Sequence, residues 1–114
     1  MLLLIHRVQH AVAEAILTLI SKDIFDAIYQ TIDEVNRQLP SGARLVKSEQ
    51  TVLMGEGGVL DSLGLITLLV GIEEALQSKF GIQIALLEED VLANSNGPYH
   101  TIGSLVNWIV TTTG

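Results

Sequence analysis

One stretch constrains the fold of this chain more than any other: Asp61-Ser62-Leu63-Gly64-Leu65-Ile66-Thr67-Leu68-Leu69-Val70-Gly71-Ile72-Glu73-Glu74-Ala75-Leu76-Gln77-Ser78-Lys79-Phe80. Leu65, Leu69, Ile72, Leu76 and Phe80 recur at i, i+4, i+7, i+11 and i+15, which is one continuous stripe of an amphipathic helix. Gly64 and Gly71 weaken that helix slightly. Gly81 suits a C-terminal cap, and the flexible Gly55-Glu56-Gly57-Gly58 lies ahead of the start. A helix with a single apolar stripe must bury it against other elements.

The rest of the sequence supplies more helices. Ile24, Ala27, Ile28, Ile32, Val35 and Leu39 repeat at helical spacing, with Ser21 or Asp23 available as N-cap and Pro40-Ser41-Gly42 as the stop. A long connection runs from Gly42 to about Leu60, and Val46, Val52, Leu53 and Met54 are expected to tuck from it into the core. Gly81 to Ile84 reads as extended, Leu86 to Leu92 as a short acidic helix or turn, and Asn94 to Pro98 as a loop. Thr101 can cap a last helix carrying Ile102, Leu105, Val106, Trp108 and Ile109. Trp108 is expected at the core or its edge. The composition, 48% hydrophobic but 4% aromatic, suits aliphatic helices packing on helices, and 114 residues suit one domain.

Residues 1–20 form a separate apolar extension. Leu4, Val8, Ala11, Ala15 and Leu19 fall on one helical face, so an extra amphipathic helix is expected, packing on the body or on a second copy. The charged n-region of a secretory signal is missing, and no run of about 20 apolar residues spans a membrane. There is no cysteine, so no disulfide or thiolate site arises, and His6, His10 and His100 do not make a recognisable metal spacing.

Charge is unevenly placed. Residues 1–48 carry five acids and five bases, so the whole net charge of −7 falls in residues 49–114, where eight acids stand against Lys79 alone. Such a surface repels a phosphate backbone and suits protein partners with basic faces.

Ser62 is the candidate functional residue. It stands where a glycine-rich loop enters a helix, and free N–H groups and partial positive charge at that end would favour a phosphodiester on its hydroxyl. Taken alone, Asp61-Ser62-Leu63 is also an ordinary helix start. A catalytic serine would need a base and an oxyanion hole; there is no Gly-x-Ser-x-Gly pattern, and no sequence feature brings His100 beside Ser62.

The wider context is more specific. Residues 61–84, DSLGLITLLVGIEEALQSKFGIQI, resemble the second helix and following loop of acyl carrier proteins. Residues 23–39 look like that family's first helix, Thr51-Val52-Leu53-Met54 and its glycine loop like the approach to the serine, and Thr101 to Ile109 like the last helix. Together they cover about residues 21–112 in order. The resemblance implies an all-α, four-helix bundle over residues 21–114, with residues 1–20 added. It implies 4′-phosphopantetheine from coenzyme A on Ser62, no catalysis by the chain itself, and a cytoplasmic setting.

By the same resemblance, Asp61 helps present Ser62 to a phosphopantetheinyl transferase. Leu63, Ile66 and Val70 form the apolar part of a partner-recognition face, and Glu73 and Glu74 its acidic part. Core packing for the three apolar residues and a solvated face for the two acids are the alternatives. Partners would be acyl-loading and acyl-transferring enzymes with basic docking surfaces, and the extension is a possible dimer contact. An aminoacyl or D-alanyl carrier, and an unmodified interaction module on the same fold, remain open beside a fatty acyl or polyketide carrier. The chain departs from the family at Gly64 and Thr67, where acids are usual, and in its longer second helix and its extension. Those features fit a specialised stand-alone bacterial carrier more than a housekeeping one.

Overall fold

The computed structural model describes the backbone of residues 2–94 and 96–113 and the side chains of residues 19–94 and 96–112. Four α-helices follow one another: α1 (Leu2–Asn36), α2 (Ser62–Phe80), α3 (Glu89–Leu92) and α4 (Ile102–Thr113), with a 3-10 turn at Ser41–Ala43 after α1. Among the described residues there is no strand, only an isolated bridge between Val52 and Thr101. The fold is all-helical, and α1 packs against both α2 and α4.

α1 corrects one expectation. The helix runs unbroken through Ser21 and Asp23, which are not N-caps. Residues 2–36 contain neither Gly nor Pro. A few mediocre helix formers cost tenths of a kcal/mol each, too little to break a helix that propagates from both sides. Leu19, the last member of the apolar face expected in residues 1–20, is 64% exposed. Leu4, Val8, Ala11 and Ala15, like His6 and His10, have side chains outside the described set. No helix is long and apolar enough to cross a membrane among the described residues.

The core is aliphatic, as the composition requires. α1 contributes Ile24, Ala27, Ile28, Ile32 and Val35, and α2 contributes Leu65, Leu68, Leu69, Ile72 and Leu76. α4 adds Ile102, Leu105, Val106 and Ile109, with Trp108 half-buried at the edge. Phe80 departs from its stripe and is 41% exposed. It is the last residue of α2; Gly81 then turns left-handed (φ 68°) and Ile82 packs back on the core instead.

The connection between α1 and α2 is pinned by side chains. Asn36 Nδ2 donates to Leu45 O (2.9 Å), and Leu45 N–H donates to Asn36 Oδ1 (2.8 Å). This clamp turns Leu45 into the core and leaves Val46, expected there, 69% exposed, because neighbouring side chains of an extended segment point opposite ways. Further on, Leu53 is buried, and Val52 and Met54 are half-buried.

Candidate functional site

The starts of α4 and α2 contrast. A helix leaves its first four N–H groups without intrahelical acceptors. In α4 each of them is taken: Thr101 N–H donates to Ser104 Oγ (3.0 Å), Ile102 to Thr51 O (3.0 Å), Gly103 to Glu49 O (2.9 Å) and Ser104 to Thr101 Oγ1 (3.1 Å). The two bonds between Thr101 and Ser104 close a reciprocal capping box. Thus α4 is sewn to the 49–54 segment, and Leu53 N–H adds a bond to His100 O at 2.8 Å.

α2 opens otherwise. Asp61 is its N-cap, extended at φ −80° and ψ −179°, and its Oδ1 accepts the Gly64 N–H at 2.7 Å. Leu65 N–H donates to Asp61 O at 2.9 Å. Among the described residues, no hydrogen bond takes the N–H of Ser62 or Leu63. Ser62, the first residue of the helix, is exposed. Two unoccupied donors and the positive end of a 19-residue helix therefore surround an accessible hydroxyl.

The glycines here have structural reasons. Gly55 and Gly57 both sit at φ 88°, which L side chains rarely adopt, and so shape the loop that delivers Ser62. A Cβ on Gly64 would stand 3.2 Å from Asp61 Oδ1 and 3.2 Å from Leu60 Cδ2. A side chain two residues after the serine would press on the cap, whose atoms would have to give by a few tenths of an ångström.

Around Ser62 the apolar residues face solvent. Leu63 is 73% exposed, Val59 49% and Ile66 42%. Exposure at this level argues against core packing for Leu63 and Ile66. Val70 is half-buried and Glu74 exposed; with Leu63 they stack along one outward line at i, i+7 and i+11. Glu74 also borders a groove of about 360 Å³ between α1 and α2, with Glu34 and Val35 on one wall and Ile66 and Val70 on the other.

Glu73 is placed apart from Glu74, because adjacent helical residues point about 100° apart. Its Oε1 accepts the N–H of buried Leu86 at 2.7 Å, tying the 82–86 segment to α2. His100 is also placed: its Nδ1 lies 2.8 Å from Met54 O. The ring holds the 51–54 segment at the base of the glycine loop.

Two residues of the neighbourhood carry no sequence motif. Glu34 meets Glu74 only through the α1–α2 packing. Tyr99 is fully buried with a hydroxyl that lacks a hydrogen-bond partner. Groups of three or more metal-ligating side chains are absent among the described residues. No protein-family model matches the chain, nor does any curated protein or solved structure.

Proposed function

We propose that this chain is an acyl carrier protein, a four-helix carrier-like bundle that holds acyl groups as thioesters on a 4′-phosphopantetheine arm attached to Ser62. The observation that carries the reading is the open start of α2. An exposed serine hydroxyl stands beside two amide donors with no acceptor, on a helix otherwise capped by Asp61. A phosphodiester on Ser62 fits there, since its anionic oxygens would face those donors and the positive end of the helix.

The Ser62 hydroxyl would lose its proton to a transferase's base and attack the pyrophosphate of coenzyme A, with adenosine 3′,5′-bisphosphate leaving. When attached, the arm supplies a thiol that forms the thioester. Leu63, Ile66, Val70 and Glu74 would meet the transferase and later enzymes. Eight acids in residues 49–114 favour basic partner surfaces. Docking through exposed charges is weak and salt-sensitive, which suits a shuttle that must let go.

A serine hydrolase is the poorer reading, because the sequence around Ser62 has no Gly-x-Ser-x-Gly pattern. The test is intact mass before and after incubation with coenzyme A, magnesium and a broad-specificity phosphopantetheinyl transferase. One phosphopantetheine should be gained, and Ser62→Ala should gain none. A folded, unmodified chain that several transferases leave unchanged would point to the interaction module instead.

A further inference from the structure

α1 is far longer than the body it serves. Its 35 residues span about 52 Å at about 1.5 Å each, and the molecule measures 59 × 26 × 24 Å. Among the described side chains of α1, the first buried one is Ile24. Residues 2–20 lead away from the body as about 28 Å of helix.

Register round the axis sets two lines along α1. Buried Ile24, Ala27, Ile28, Thr31 and Val35 mark the core line. Carried back from Ile24 at alternate steps of four and three, that line reads Ile20, Leu17, Ala13, His10 and His6, so it turns polar. The other line behaves in reverse. It reads Ile5, Val8, Val12, Ala15 and Leu19, at steps of three and four, and then Lys22 and Asp26, which are exposed on the body. The two lines lie about 140° apart, so α2 and α4, which pack on the core line, do not cover the second. Leu19, at its body end, is 64% exposed.

Apolar residues at alternate steps of three and four form the seam along which helices pair. Charge decides what covers it. Helices that lie on a lipid surface carry Lys and Arg along their polar face, with Trp or Phe on the other. Residues 1–20 hold Arg7 against Glu14, and no Phe, Tyr or Trp. The body's charge of −7 would be repelled by an anionic bilayer. A second copy fits better. Leu4, Ile5, Val8, Val12, Ile16 and Leu19 from each of two helices remove about 700–1,400 Å² from water, at about 60–120 Å² for each aliphatic side chain. A stable interface needs about 1,000 Å².

Direction follows from the same charge. Parallel helices would set two acidic bodies side by side. Antiparallel ones hold them about 28 Å apart, well beyond the screening length of about 10 Å at 0.1 M salt. The seam suits this, since Ile5 and Leu19 stand equally far from Val12 in sequence.

We propose that residues 2–20 pair antiparallel with the same segment of a second copy, with Ile5 of each chain beside Leu19 of the other and Val12 at the two-fold axis. The pair leaves Ser62 free. Thr31 sits against Gly71, while Val35 and Gln38 share a groove with Ile66 and Thr67, so α2 runs antiparallel to α1 and starts at the end away from the extension. Each dimer thus presents two Ser62 hydroxyls at its outer ends, and the pairing is independent of what they carry.

Sedimentation equilibrium of the full chain over about a hundredfold range of concentration tests this. The parent should approach twice the chain mass. Val12→Glu sets two carboxylates together at the axis and should weaken the dimer by about tenfold or more. His10→Glu, on the other line, should leave it unchanged. Ile5→Glu should break the dimer, and adding Leu19→Lys should restore it, because opposite charges then meet only in the antiparallel pair. Glu and Lys are good helix formers, so helicity by circular dichroism should hold in every variant. A parent that is monomeric at every concentration would overturn the proposal; if that monomer floats with phosphatidylglycerol vesicles, the seam belongs to a lipid surface. A loss with His10→Glu equal to that with Val12→Glu, or no rescue by Leu19→Lys, would overturn it as well.

Discussion

A methyl group on Gly71 would stand 2.8 Å from Thr31 Cγ2, so α1 and α2 approach as closely at this point as a glycine permits. Thr31 is nearly buried, and its hydroxyl donates to Ala27 O at 3.0 Å, which fixes the methyl toward Gly71. Gly71→Ala should therefore lower stability by about 1–3 kcal/mol through overpacking. That exceeds the gain in helix propensity, about 1 kcal/mol. Thr31→Ser removes Cγ2 and keeps the hydroxyl, so it should recover part of the loss in the double variant. Urea unfolding of the two single variants, the double variant and the parent checks this; additive losses would mean that the contact is not the cause.

Asp61 and Gly64 make a second local prediction. Asp61→Ala removes the acceptor of the Gly64 N–H and should cost about 1 kcal/mol, whereas Asp61→Asn keeps an oxygen in place and should cost only a few tenths. Amide exchange at Gly64 should speed up in the alanine variant alone. Equal exchange in both variants would remove the cap from the account of how Ser62 is presented.

Glu73 is predicted to act on its own fold. Its bond to the Leu86 N–H secures a segment that otherwise has only Ile82, Ile84 and Leu86 packed inward. Glu73→Ala should raise amide exchange at Leu86 by about tenfold, because a buried donor loses its acceptor. Glu73→Gln, which still offers an oxygen, should change it little. A Leu86 amide equally protected in all three proteins would show that packing alone holds the segment.

These relationships also explain what the sequence could and could not convey. The bounds of α2, a helix start at Asp61-Ser62 and Gly81 as its end were legible, since apolar period and cap chemistry are local. The thread of Leu45 and Val46 was not: its register is set by the Asn36 side chain nine residues away, and Leu45 takes the core place expected for Val46. Ser21 and Asp23 have capping chemistry, yet capping preference does not start a helix where nothing ends the one before it. Phe80 keeps the period of its stripe but stands where the chain leaves the helix, so its burial depended on the path after Gly81. Glu34 and Tyr99 gained their interest only from packing. The open N–H groups of Ser62 and Leu63 were foreseeable as a helix start, but their contrast with the fully satisfied start of α4 was not.

Tyr99 gives a prediction in pH. Burial is the leading cause of its raised pKa, so the folded state holds the phenolic proton more tightly than the unfolded chain does. Its contribution is present in full below the ordinary tyrosine value of about 10. Above that value the unfolded chain releases the proton first, and stability falls as pH rises through the folded pKa. Tyr99→Phe should flatten this alkaline decline while leaving stability at pH 7 equal or slightly higher, since it removes a hydroxyl without a partner. Thermal unfolding from pH 7 to 11 compares the two proteins; parallel declines would assign the loss to other groups.

The outward line of α2 yields the last prediction. Leu63 is 73% exposed, so replacing it changes no packing of consequence, and Leu63→Ser should move the unfolding midpoint very little. If Leu63 meets the transferase, the same substitution should lower kcat/KM for phosphopantetheine transfer by about tenfold, the effect of losing one well-packed apolar contact. Glu74→Lys reverses an exposed charge at the rim of the α1–α2 groove, where Glu34 supplies a second carboxylate. Its effect should be smaller, on KM rather than kcat, and should fade as salt is raised, because exposed charges are screened within about 10 Å at 0.1 M ionic strength. Glu73→Gln serves as the internal control: its carboxylate faces Leu86, so transfer kinetics should stay close to the parent's. If Glu73→Gln proves as damaging as Glu74→Lys, the partner approaches over the 82–86 segment and not along the line of Leu63, Val70 and Glu74. The salt dependence of the two variants then shows which carboxylate the basic surface meets first.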